Sequence, residues 1–135
     1  MNSVLVTGAS SGIGRATALL LSEAGMVVYA GVRKTTDGES LESSASGDLR
    51  PLILDVTSPT DVETAIARIR EDGGLSGLVN NAGLYMGGPL ELMTDEEIEA
   101  TYAVNVTGLL RMTRGGGVVS ARRTRAESPT RRAWK

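Results

Sequence analysis

The chain contains no cysteine and no histidine among its 135 residues. Without thiols there are no disulfides and no thiolate nucleophile. Without imidazole, the commonest general base and nearly every zinc or haem site are excluded. Carboxylates, hydroxyls, amides, lysine and arginine are what remains for chemistry. Long apolar runs are missing too: stretches such as Met26 to Val32 fall far short of the roughly eighteen residues that a membrane span needs. No charged leader with an apolar core precedes Ser3-Val4-Leu5-Val6, which already reads as a strand, so a cytoplasmic protein is expected.

What is present fits a folded domain. Hydrophobic residues make up 41% and charged residues 22%, close to soluble globular averages, which argues against a disordered or fibrous chain. The length suits one domain with a sizeable core. The net charge of −2 hides an asymmetry: residues 1–121 hold eight Lys/Arg against fifteen Asp/Glu, whereas residues 122–135 hold six against one. The chain therefore divides into a domain at 1–119 and a basic tail at 120–135. The tail has almost no apolar content with which to offset the entropy of ordering, so it is expected to be disordered.

Within the domain, short apolar runs alternate with amphipathic segments, the pattern of a parallel sheet wrapped by helices. Strands are expected at Val4 to Thr7, Met26 to Ala30, Pro51 to Asp55 and Leu78 to Asn80, with a fifth at Val118-Val119. From Gly12 to Ala24, residues Ile13, Ala16, Thr17, Leu20 and Ala24 recur at helical spacing before Gly25, a stop signal. Ser58 is an N-cap, Pro59 suits the first helical position, and Val62, Ala65, Ile66 and Ile69 share one face before Gly73-Gly74. Thr94 and Glu97 form a capping box that opens a helix expected to run through about Leu110. The polar stretch Thr35 to Asp48 reads as a loop with at most a short helix.

The informative segment is Thr7-Gly8-Ala9-Ser10-Ser11-Gly12-Ile13-Gly14-Arg15, placed between a strand and the helix after it. A dinucleotide pyrophosphate must come close to the backbone at a helix N-terminus, where free N–H groups and the dipole favour its charge. Gly8 permits the sharp turn, Gly12 lets the backbone approach the anion, and Gly14 allows close packing of helix on strand. Ser10, Ser11 and Ile13 complete the binding loop.

This Gly-xxx-Gly-x-Gly spacing resembles the short-chain dehydrogenase/reductase family. Asp55-Val56 resembles that family's adenine-ring contact. Asn80-Asn81-Ala82-Gly83 resembles its NNAG motif, which lines the cofactor cleft and from which Asn81, Ala82 and Gly83 are taken as cofactor-binding residues. Asn105 falls where the family keeps a catalytic asparagine on a helix; taken alone, its amide is explained as well by satisfying buried backbone. The matches run in order from residue 3 to about 114. They imply an α/β, Rossmann-like, doubly wound parallel sheet, truncated after about strand five, and an NAD(P)-dependent oxidoreductase acting on CH–OH groups. Segments such as Val28 to Arg33 and Gly88 to Glu91 resemble members acting on steroid, retinol or similar lipophilic alcohols.

The end of the second strand reads Gly31-Val32-Arg33-Lys34, with no acid until Asp37. An NAD site usually places a carboxylate there, whereas a 2′-phosphate calls for positive charge. Arg33 can fork onto phosphate, so NADP is favoured, with NAD the second choice.

One part of the family pattern has no counterpart. The family's acid/base tyrosine is followed four residues later by a lysine on the same helix face. Here Tyr29, Tyr85 and Tyr102 are followed at that distance by Arg33, Pro89 and Val106. Ser120 is out of register with the family serine, and the interval from Asn105 to Gly117 is roughly three helical turns short. Beyond Val119 the Arg, Ala, Ser and Pro bias suggests an out-of-frame or abnormal terminus. Two readings stand side by side: a dehydrogenase/reductase by ancestry, and a non-catalytic dinucleotide-binding remnant. A nucleic-acid module built on the tail is disfavoured by the acidic body. Self-association into dimers or tetramers is what the resemblance implies.

Overall fold

The computed structural model describes residues 2–117. The expected fifth strand at Val118-Val119 and the tail from Ser120 onward lie outside the described residues. Four strands, β1 (Ser3–Val6), β2 (Val27–Val32), β3 (Leu49–Ile53) and β4 (Gly77–Val79), form one parallel sheet in the order β3-β2-β1-β4. Each lies within two residues of its expected position. Register is set by pairs such as Leu5 with Tyr29 and with Leu78.

Helices α1 (Gly12–Glu23), α2 (Thr35–Ser44), α3 (Pro59–Glu71) and α4 (Asp95–Tyr102) connect and follow these strands. Alternation along each strand sends side chains to opposite faces, and both faces are covered. On one, Val4, Val6, Val28, Ala30 and Val32 pack with Ala18 of α1 and Leu41 of α2. On the other, Leu5, Val27 and Tyr29 pack with Val62, Ala65, Ile66 and Ile69 of α3 and with Met112. This is the doubly wound arrangement expected from the sequence.

Local signals place α3 well: the Ser58 hydroxyl accepts from the Asp61 N–H at 3.2 Å, and Pro59 opens the helix. They serve α1 less well. Ile13 is 80% and Leu20 66% exposed, and the buried positions are Gly14, Ala18 and Ser22. Small residues at i, i+4 and i+8 let this helix sit close to the sheet, which the larger side chains on the neighbouring stripe would prevent. The Thr35–Asp48 segment, expected to be mostly loop, is helical for ten residues. Two contacts hold it: Leu41 is buried, and a Cβ on Gly38 would stand 2.9 Å from Cβ of Pro51, so α2 rests directly on β3.

The capping box of α4 is complete, with Thr94 and Glu97 each accepting from the other's backbone N–H. Helical backbone continues past Leu110 to residue 117, interrupted by one widened π-helical stretch, Ala103–Gly108. Gly108 is buried there, and a Cβ on it would lie 2.7 Å from Val56. Among the described residues no helix is long and apolar enough to cross a membrane.

Candidate functional site

The connections from β1 to β2 to β3 run one way across the sheet, and the chain then returns to place β4 on the far side of β1. Such a reversal leaves a crevice outside the carboxyl ends of the strands. A cleft of about 320 Å³ lies there, lined by Gly8, Ser10, Ser11, Arg33, Asp55, Val56, Asn81, Ala82 and Gly83 among the expected residues. Gly31, Val32, Leu54, Leu84 and Val104 also line it, none of them expected as a site residue from the sequence.

The loop after β1 is clamped to the loop after β4. The Thr7 hydroxyl, 1% exposed, accepts from the N–H groups of Asn81 (3.0 Å) and Ala82 (2.9 Å). In return, the Asn81 side-chain amide donates to the carbonyls of Thr7 (3.1 Å) and Gly8 (3.0 Å). Asn81 thus shapes the cleft by holding its rim. Thr7 heads the glycine motif, and a β-branched hydroxyl at a strand end is the sequence signal for this clamp.

The glycines divide the work differently from the sequence expectation. Gly8 has φ +63° and would bring a Cβ within 2.8 Å of Ala82, so conformation and space both require glycine. A Cβ on Gly14 would collide with the Gly8 carbonyl and the Asn81 amide, so this glycine packs helix on loop rather than on strand. Gly12 has φ +55° with open space beside it. Gly12, Ile13 and Gly14 adjoin the cleft at the start of α1 but do not line it.

The N-terminus of α1 carries uncommitted donors. Ser11, at the N-cap, makes no side-chain cap bond, and the first turn holds no acid. The first backbone bond into the helix is from Arg15 to Ser11 at 3.2 Å, which leaves the preceding amides free for an anion. The Arg15 guanidinium is directed elsewhere, donating to the Ser44 hydroxyl of α2 at 2.9 Å.

At the far wall, Asp55 Oδ1 accepts from the Thr57 N–H (2.8 Å) and the Thr57 hydroxyl (2.7 Å). These bonds, aided by the nearby Arg33 charge, hold its carboxyl below the usual carboxylate range against the opposing effect of burial. Arg33 lines the same cleft and is exposed. Asn105 does not line it. Its side chain instead bonds both backbone groups of Leu84, a residue that does.

The family model described as short chain dehydrogenase matches residues 2–117. A 3-ketodihydrosphingosine reductase of Bacteroides thetaiotaomicron is 41% identical over 81% of this chain and 38% of its own length. Mouse retinol dehydrogenase 5 is 34% identical over 82% of this chain and 36% of its own. An NADPH-dependent 3-dehydrocapnine reductase of Ornithobacterium rhinotracheale is 35% identical over 84% of this chain and 41% of its own. Among solved structures, a short-chain dehydrogenase of Streptomyces avermitilis superposes with a TM-score of 0.84 at 32% identity, covering 90% of this chain and 45% of that one. The chain spans less than half the length of each of these relatives.

Proposed function

The chain belongs to the short-chain dehydrogenase family, and from that premise we propose that residues 2–117 form the cofactor half of an oxidoreductase site that prefers NADP and serves a lipophilic alcohol or ketone. Bound there, a nicotinamide dinucleotide would supply or accept hydride. The observation that carries the reading is the clamped turn at Gly8, held by Thr7 and Asn81, beside the uncapped start of α1.

The residues present fit such a group. Amides of Gly12, Ile13 and Gly14 would hold the diphosphate, since α1 opens with no side-chain cap and no acid in its first turn. Ser10 and Ser11 add hydroxyl donors at the same rim. Asp55 and Val56 would border the adenine, with Asp55 Oδ2 the oxygen not used by Thr57 among the described residues. Ala82 and Gly83 would border the ribose on the nicotinamide side. Arg33 stands where NAD sites carry an acid, and its guanidinium would fork onto a 2′-phosphate. The Ornithobacterium relative, named as NADPH-dependent, points the same way. Two further relatives named for a retinol and a ketosphingoid substrate support a lipophilic substrate. Asn105 would act through Leu84, fixing the loop on the substrate side.

Titration with NADPH and NADH, followed by thermal unfolding, tests this directly. A ligand that binds only the folded chain raises the melting temperature in proportion to ln(1 + [L]/Kd). NADPH is expected to raise it more than NADH at equal concentration; no rise with either overturns the reading.

A second reading, dinucleotide binding without hydride transfer by this chain, is favoured by its tyrosines. Tyr29 is buried and donates to Asp72 at 3.1 Å. Burial pushes its phenol up and Asp72 reinforces the effect, the opposite of what an acid/base tyrosine needs. Tyr85 and Tyr102 have no lysine four residues on. Oxidation of NADPH by aromatic and long-chain ketones, measured by loss of its fluorescence, separates the two readings.

A further inference from the structure

A second concavity, sharing no residue with the first, lies between α3 and the helical segment 109–117. Its volume is about 470 Å³, within the range of small-molecule sites of about 300–1,000 Å³. Val62 and Ile66 lie at its base, and Gly115 keeps it open: a Cβ there would stand 3.2 Å from Ile66. Around this apolar base stand Arg70, Arg111 and Arg114.

Three arginines against one carboxylate, Glu63, in the lining of a single groove are unexpected in a region as acidic as residues 1–121, where carboxylates outnumber cations fifteen to eight. Among the described residues none of the three makes an ion pair; the pairs that form involve Arg50 and Arg68. Glu63 shares the wall yet is not within ion-pair distance of any of them. Arg111 is also fixed in place, because Nη1 donates to the Val56 carbonyl at 2.6 Å and leaves Nη2 and Nε for another acceptor. A fixed planar fork flanked by two more suits a tetrahedral dianion, which accepts several charge-assisted bonds at once.

We propose that this groove binds a phosphate monoester with a small apolar body, its phosphate held by Arg70, Arg111 and Arg114 and its body lying over Val62 and Ile66. The proposal does not rest on the dinucleotide reading.

Phenyl phosphate titrated into ¹⁵N-labelled protein tests it by NMR. The expected shifts centre on the amides of Ile66, Arg70, Arg111 and Gly115, and spare Gly8 to Gly14. The double variant Arg70→Gln/Arg114→Gln changes only exposed side chains and keeps the Arg111 bond to Val56. It should weaken binding by about tenfold or more with an unchanged melting temperature. The Arg33→Gln variant should bind phenyl phosphate as the parent does. Shifts confined to the glycine turn, or binding lost in Arg33→Gln, overturn the proposal. So does inorganic phosphate binding as tightly as phenyl phosphate, which removes the apolar body. Capture on phosphatidate vesicles without any response to soluble phenyl phosphate also overturns it, the source then being a lipid surface.

Discussion

Asn105 and Leu84, twenty-one residues apart, share two hydrogen bonds: Asn105 Oδ1 accepts from the Leu84 N–H at 2.7 Å, and Nδ2 donates to the Leu84 carbonyl at 2.8 Å. One side-chain amide thereby does for Leu84 what a neighbouring strand would. It ties the loop after β4 to the widened turn Ala103–Gly108, and Leu84 and Val104 both line the cleft.

Replacing Asn105 with Ala removes both bonds. The pair is exposed to water, which then satisfies the freed groups, so the expected loss of stability is only about 1 kcal/mol. The local effect is larger: amide exchange at Leu84 should accelerate while that of Leu5 and Val6 in β1 stays slow. Hydrogen exchange read by NMR checks this, and unchanged protection at Leu84 would contradict the stitching role.

The two glycines at the start of α1 should respond differently to alanine. Gly14→Ala drives a methyl into the Gly8 carbonyl and the Asn81 amide, an overpacking expected to cost about 1–3 kcal/mol. Gly12→Ala meets open space but forces φ +55° on a side-chain-bearing residue, at about 1 kcal/mol. Urea unfolding should therefore rank Gly14→Ala as the weaker fold. If the proposed diphosphate site is right, NADPH stabilisation should fall sharply in Gly12→Ala, whose methyl would project into the open space beside the start of α1.

Arg33→Gln removes the fork beside the cleft. NADPH affinity is expected to fall about tenfold, the loss of one charge-assisted contact, while NADH affinity changes little. Isothermal titration with both coenzymes checks it; an equal loss for both would assign Arg33 to general electrostatics instead.

Asp55 makes the fold acid-sensitive. Its carboxyl is lower in the folded chain than the unfolded value of about 3.9. The unfolded state therefore takes up the proton first, and the stabilisation is complete above that value. It is lost as pH falls through the folded value. Thr57→Val deletes the largest contributor, the Thr57 hydroxyl bond. In that variant the loss of stability relative to the parent should be widest near neutrality and should shrink as pH falls through the folded value, down to the pH-independent cost of the lost bond; urea unfolding followed by circular dichroism at several pH values checks it.

Much of the fold was legible because its signals are short-range. Ser58 with Pro59, and Thr94 with Glu97, act within one helical turn, and both helices start where those pairs place them. The apolar runs of β1 and β2 are buried on both faces and need no periodicity to be read. The α1 stripe misled because counting apolar residues favours Ile13 and Leu20, whereas the sheet selects the small face of Gly14, Ala18 and Ser22. Helix α2 was hidden for a related reason, since one leucine and one glycine against Pro51 anchor an otherwise polar segment.

By itself the sequence determined where the chain turns, which segments are strands, and that a glycine turn joins β1 to α1, because these follow from backbone preferences among residues a few positions apart. Only the tertiary structure decided that Thr7 and Asn81 would clamp that turn across |i−j| of 74, that Asn105 would hold Leu84, and that three arginines from two helices would face one groove. Those contacts depend on the strand order β3-β2-β1-β4. That order comes from burying both faces of the sheet at once, a condition no short window of sequence contains.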